Sequence, residues 1–259
     1  MLHGKVALVT GAGQGVGRGI ALALAKAGAS VGVAGRTLEK CQRTVGAIEA
    51  EGGKALALEC DVTKRDAVND TVQALLDWGG KLDILVNNAQ AARPMVPLAT
   101  TSDRDLKIAM NTGLNGTVYG MQAAYDHLKQ TKGCVINIGS SAGIRGDAGF
   151  AAYAAAKEAI RAWSRVAARE WGPDGIRVNV VCPFSDSPGI DYMIANEPEF
   201  IPALTAETVL GRLGSSELDV GRTVVFLASE AGAFITGQTI NVDGGICIGP
   251  QRLRCRLNG

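Results

Sequence analysis

Short runs of aliphatic and β-branched residues alternate with longer helical patterns along the whole of this 259-residue chain. Residues 5–10, 30–34, 54–60, 82–87, 134–138, 176–181 and 239–242 read as strands. None shows the strict apolar/polar alternation of a strand with one wet face, so each is predicted to be covered on both sides. Helical patterns lie between them, from the first glycine turn to about residue 27, then at 38–51, 64–78, 103–130, 150–171 and 217–228. Strictly repeated βα units predict an α/β, doubly wound parallel sheet with helices on both faces. Without a linker, a low-complexity tract or a long internal repeat, residues 1–259 read as one domain.

Composition narrows the function classes. Hydrophobic residues make up 47% of the chain but aromatic ones only 5%, so the core must be aliphatic. The net charge of +1, from 26 basic and 25 acidic residues, offers no footprint for nucleic acid or a membrane surface. The basic stretch Arg252 to Arg256 reads as a solvated tail. The six cysteines show no C-x-x-C spacing and His3 and His127 stand alone, so no metal site is expected. A strand starts almost at once, leaving no room for a secretion signal, and no apolar run is long enough to span a bilayer. The expectation is a soluble, cytoplasmic protein.

Two features carry chemistry. The first strand runs into Thr10-Gly11-Ala12-Gly13-Gln14-Gly15-Val16-Gly17, which opens a helix. Glycines let backbone approach a diphosphate without Cβ contact, and a helix N-terminus offers free N–H groups and partial positive charge. Strand before and helix after supply the context that this motif needs. The second feature is Tyr153, four residues before Lys157, with Ser140 thirteen residues upstream of the tyrosine. Positions i and i+4 share a helix face. At about 4 Å and an effective dielectric near 20, an ammonium would stabilise a phenolate by roughly 4 kcal/mol, lowering the phenol by about 3 pK units towards ~7. Taken alone, the pair reads more readily as surface residues of an Ala-rich helix.

The spacing of the glycines, with Asn87-Asn88-Ala89, Ser140 and Tyr153-x-x-x-Lys157, resembles the short-chain dehydrogenase/reductase family. Asp61-Val62, Pro183, Thr236-Gly237-Gln238 and Asp243-Gly244-Gly245 extend the likeness over nearly the whole chain. The resemblance implies a seven-stranded Rossmann sheet, a nicotinamide cofactor and a homotetramer or homodimer. It implies that Tyr153 is the general acid/base, that Ser140 holds the carbonyl oxygen, and that Lys157 binds the nicotinamide ribose and tunes Tyr153. Gly11, Gly13, Gln14, Gly15, Val16, Gly17, Asn88, Ala89 and Pro183 would line the cofactor, and Asp61 and Val62 would bracket the adenine. Ser141 would be a neighbour with a local backbone bond.

NAD-specific members usually carry Asp at the end of strand two, where this chain has Gly35 followed by Arg36. A guanidinium without a carboxylate favours a 2′-phosphate, hence NADP(H) over NAD(H). Arg36 as one more surface arginine is the competing reading, and Gln14 is not the basic residue many NADP-binding members place in the loop. Other departures lie at the substrate end: Gln90 follows Asn-Asn-Ala where Gly is usual, Phe184 follows Pro183, and Pro188 stands where Thr is frequent. The family's relay Asn aligns with Gly113, so either Asn111 reaches the site through a local bulge or a Gly113 backbone group serves. Residues 184–213 carry Tyr192, Met193, Ile194, Phe200, Ile201 and Leu204, and would form a lid. An apolar lid suggests a mostly apolar small-molecule ketone or secondary alcohol; the same residues could simply pack the lid on the body. The Ala91-Ala92-Arg93 rim would face it. Two functions remain: an NADP(H)-dependent oxidoreductase, or a cofactor-binding protein with weakened catalysis because of Gly113.

Overall fold

The structure, a computed structural model, describes residues 1–91, 95–196 and 199–249. Seven strands follow in chain order: β1 Val6–Thr10, β2 Ser30–Gly35, β3 Lys54–Glu59, β4 Ile84–Asn87, β5 Cys134–Ile138, β6 Arg177–Pro183 and β7 Thr239–Val242. They form one parallel sheet in the order β3-β2-β1-β4-β5-β6-β7. The order reverses between β1 and β4, and a crevice opens there beyond the strand C-termini, where such sheets bind ligands.

The helices are α1 Gly15–Lys26, α2 Leu38–Ala50, α3 Arg65–Gly79, α4 Asp103–Met110, α5 Gly116–Thr131, α6 Ser141–Arg145, α7 Ala151–Trp171, α8 Pro188–Asn196, α9 Phe200–Ala206 and α10 Arg222–Ala228. Period-two alternation along β1 sends Ala7 and Val9 to one face and Val6 and Leu8 to the other. The first pair joins Ile20 and Leu24 of α1, Ile48 of α2 and Val224 and Leu227 of α10. The second joins Val72 and Leu75 of α3, Met121 and Leu128 of α5 and Ala168 of α7. Both faces are dry, which is why the strands lack alternating polarity. The doubly wound fold is as the sequence predicts.

Two differences from the sequence reading matter. The helix expected over 103–130 is interrupted by a π turn at Asn111–Asn115, where the Gly116 N–H reaches back to Asn111 O. Glycines at 113 and 116 bring this segment close to Gln90 and Val62: a Cβ at 113 would overlap Gln90 Oε1, and one at 116 would lie 3.0 Å from Val62 Cβ. The segment 184–213 contains α8 and α9, short helices that no strong periodicity announced. The Arg252–Arg256 stretch, Ala92 and Arg93 lie outside the described residues. No helix among the described residues is long and apolar enough to cross a membrane.

Gly11 has a left-handed φ of +65°, and a Cβ there would lie 2.8 Å from Asn88 Nδ2 and 2.9 Å from Ala89 Cα. Gly11→Ala is therefore expected to cost roughly 2–3 kcal/mol, from the positive φ and the backbone overlap together. Gly46, inside α2 with open space around it, gives the opposite sign. Gly46→Ala should gain about 0.5–1 kcal/mol. Denaturant midpoints of the two variants check both; equal shifts would contradict the packing described.

Candidate active site

One cavity of about 690 Å³ runs along the C-terminal edge of the sheet. At one end lie Gly11, Gly13, Gln14, Gly15 and Val16, the loop between β1 and α1. Gln14 is the N-cap of α1 in extended conformation and its side chain makes no capping bond, so the first-turn N–H groups remain free for an anion. Thr10 ties this loop to β4: its hydroxyl accepts from the backbone N–H of Asn88 at 3.0 Å and of Ala89 at 3.2 Å. Asn88 returns the contact by donating Nδ2–H to Thr10 O at 2.9 Å. Gly17 lies behind this junction, packed on Asn88 and Gly11, and does not line the cavity as expected.

Arg36, Lys40, Asp61 and Val62 line the outer part of the same space. Burial works against the Asp61 carboxylate, but hydrogen bonds from Thr63 and the charges of Lys64 and Arg36 outweigh it and hold the carboxyl below its usual value. Lys40 was not anticipated. Its Nζ donates to Gln14 Oε1 at 2.5 Å, so the loop that lacks a basic residue of its own borrows one from α2. The available signal was position: Lys40 is one helical turn past Arg36, at the start of a helix that must face the loop.

Ser140, Tyr153 and Lys157 line the inner end, as do Asn88, Ala89 and Pro183. β5 ends at Ile138, and Ser140 caps α6, its hydroxyl accepting from Ala142 N at 3.2 Å. The local backbone bond expected of Ser141 thus belongs to Ser140. Its own O–H lies within hydrogen-bonding reach of the Tyr153 phenol. Tyr153 packs edge-on against Phe150, with ring centroids 6.2 Å apart. Lys157 is buried, donating to Ile138 O at 2.7 Å, with its Nζ 5.6 Å from the centre of the Tyr153 ring. A buried chain from Asn87 Nδ2 to Asn137 Oδ1 and from Asn137 Nδ2 to Ser164 Oγ, each 2.9 Å, pins α7 to β4 and β5.

The expected lowering of the Tyr153 phenol by Lys157 is not what the structure gives. Burial pushes the phenol up, and the Ser140 hydroxyl offsets only part of this. The ammonium is directed at a carbonyl rather than at the phenol oxygen, and burial lowers its own pKa to about 8. At neutral pH Tyr153 therefore carries its proton.

Asn111 is exposed, and its Oδ1 accepts from Asn115 Nδ2 at 2.9 Å. The bulge exists, yet Asn111 does not line the cavity. Within 184–213, Phe184 and Ile201 are buried, while Tyr192 and Leu204 line the cavity. Some of these side chains pack and others face the site.

The chain matches a family model described as enoyl-(acyl carrier protein) reductase over residues 11–247. A 12α-hydroxysteroid dehydrogenase from Clostridium sp. is 40% identical over 250 residues, covering 94% of this chain and 96% of that one. The crystal structure of a candidate short-chain alcohol dehydrogenase from Sinorhizobium meliloti superposes with a TM-score of 0.90 at 33% identity, covering 96% and 98% of the two chains. This chain belongs to the short-chain dehydrogenase/reductase family. A cyclopentanol dehydrogenase from Comamonas testosteroni is 33% identical over 242 residues, covering 93% of this short-chain dehydrogenase/reductase and 96% of the relative. Such relatives are alcohol/ketone oxidoreductases by name, and the family uses nicotinamide cofactors. The glycine surface, the open helix N-terminus and the flanking Arg36 and Asp61 fit a dinucleotide.

Proposed function

We propose that this protein is an NADP(H)-dependent oxidoreductase interconverting a ketone and a secondary alcohol. The observation that carries the reading is the convergence of Ser140, Tyr153 and Lys157 at the inner end of a cavity whose other end is a glycine-lined helix N-terminus. The bound nicotinamide supplies or takes up the hydride. Tyr153 gives its proton to the carbonyl oxygen as that oxygen gains charge, and Ser140 O–H holds the same oxygen. Lys157 places a positive charge beside the developing phenolate and offers N–H donors to the ribose. Residues 184–213 serve as the lid, with Phe184, Tyr192 and Leu204 giving the substrate pocket an apolar wall. Relatives named for cyclopentanol and a 12α-hydroxysteroid act on ring alcohols. Cyclic ketones are accordingly the first substrates to try, with NADPH oxidation as the readout. A binding protein without turnover would bind NADPH and leave it unoxidised whichever ketone is added.

NADP(H) is favoured because Arg36 and Lys40 put two positive charges beside a strand end, Gly35, that has no carboxylate. Removing a charge-assisted phosphate contact typically forfeits about 1.5–3 kcal/mol. Arg36→Ala should then weaken NADPH roughly 10- to 100-fold more than NADH. Fluorescence titration of both cofactors measures this, and equal losses would remove the phosphate reading.

A further inference from the structure

The stretch between Ser140 and Tyr153 brings one acidic side chain to the reacting end of the cavity. Helix α6 stops at Gly146, whose left-handed φ of +69° reverses the chain. Two bonds close this reversal, Gly146 N and Asp147 N donating to Ala142 O at 3.0 and 3.1 Å. Ala142 N in turn donates to Ser140 Oγ at 3.2 Å. On the other side Phe150 N donates to Asp147 O at 3.3 Å, and the Phe150 ring packs on that of Tyr153. Asp147 is thus tied by short links to both Ser140 and Tyr153, and it lines the same cavity.

Arg145 holds this carboxylate. Its Nε pairs with Asp147 Oδ1 at 3.0 Å, and its Nη2 donates at 2.7 Å to Oε2 of Glu207, which follows α9 of the 184–213 segment. One guanidinium serves two carboxylates, so the group keeps a negative charge. Glu207 does not line the cavity, whereas Asp147 does, with its side chain 26% exposed. Among the described residues Arg145 is the one side chain bonded to the Asp147 carboxylate. A carboxylate accepts about four hydrogen bonds, so acceptor capacity is left for a ligand. The other charged residues among those lining the cavity are committed elsewhere. Arg36, Lys40 and Asp61 stand at the outer end, and Lys157 donates to Ile138 O.

We propose that Asp147 is a specificity-determining residue, favouring ketones that carry a hydroxyl or ammonium donor away from the carbonyl and excluding those that carry a carboxylate there. The inference rests on the ketone-reducing role of this site and names its substrate class more closely. A donor that reaches the Asp147 carboxylate gains a charge-assisted bond. A carboxylate in the same place meets a like charge that Arg145, shared with Glu207, does not cancel. The apolar wall of Phe184, Tyr192 and Leu204 takes the ring of the substrate, and Asp147 reads its polar edge. Arg145 is a positioning residue that ties this reader to the segment following α9.

The test uses 4-hydroxycyclohexanone, 4-aminocyclohexanone and 4-oxocyclohexanecarboxylate as substrates with NADPH at neutral pH. The readout is kcat/KM for each donor-bearing ketone divided by that for the acid, a ratio in which a general loss of activity cancels. The wild type should favour the donors by about ten-fold or more, the discrimination that one hydrogen bond to a charged group gives. Asp147→Asn keeps the shape and an acceptor for Arg145 Nε but removes the charge, and its ratio should fall by about five-fold or more. Asp147→Ser repeats the loss of charge with a smaller side chain, and the same fall is expected. Glu207→Gln removes the other carboxylate bonded to Arg145, outside the cavity, and should keep the wild-type ratio within about two-fold. A wild-type ratio near one, an unchanged ratio in both Asp147 variants, or an equal fall in Glu207→Gln would overturn the proposal. A wild type that reduces none of the three ketones would refute the proposed function instead. Calorimetric titration of the protein, with NADP+ present, by 4-aminocyclohexanol and 4-hydroxycyclohexanecarboxylate would then judge Asp147 by the same ratio, read in Kd.

Discussion

Tyr153→Phe is expected to reduce ketone turnover by about 10³-fold, the middle of the range for a positioned general acid. The substitution keeps the ring that packs on Phe150 and removes only the hydroxyl. Ser140 retains its bond from Ala142 N, so Tm and NADPH affinity should barely move. The pH dependence follows from the burial that raises the phenol. Ketone reduction uses the protonated phenol and the charged Lys157, so its rate should hold up to about pH 7 and fall first as the lysine, titrating near 8, loses its charge. Alcohol oxidation needs the ionised phenol and should climb with pH over the alkaline range. Initial rates in both directions check this; a reduction rate that already fell between pH 5 and 7 would point to a lysine-lowered phenol instead.

Lys157→Met is expected to lower turnover by about 10² or more, and to change how stability depends on pH. The lysine titrates near 8 in the fold against an ordinary 10.5, because burial disfavours its ammonium. Between those values the unfolded chain binds more protons than the native one, so wild-type stability rises with pH across that window. Below about 8 the whole penalty stands, and it amounts to about 3 kcal/mol. Tyr153 and Cys182, the titratable groups facing Lys157, have raised pKa values of their own. Methionine has no such slope. Relative to the variant, the wild type should gain about 3 kcal/mol from pH 7 to 10.5, read from denaturant unfolding at each pH. Parallel curves would show that the ammonium is not buried as described.

Much of this architecture was legible in the sequence for a simple reason: apolar runs such as Val6–Thr10 and Cys134–Ile138 are dry on both faces, and only a covered parallel sheet explains them. The glycine loop and the Tyr153–Lys157 spacing were legible because both are local. What escaped depends on contacts distant in sequence. Lys40 reaches Gln14 across 26 positions, and Gln90 meets Gly113 only because the chain folds back. The direction of the Tyr153 shift was misread for the same reason. Helical spacing gives the proximity of an ammonium, but the carbonyl of Ile138 that captures it, and the burial that raises the phenol, are tertiary. Asn111 shows the converse: a bulge could be foreseen near three glycines, while the side to which it turned the amide could not.

The most direct measurement is transfer of label from stereospecifically deuterated NADPH to a cyclic ketone, followed by mass spectrometry of the alcohol in wild type and Tyr153→Phe. Deuterium should appear on the carbinol carbon with the wild type and at only trace levels with the variant, both proteins binding NADPH equally. Undiminished transfer in the variant, or none in the wild type with any ketone, would contradict the account.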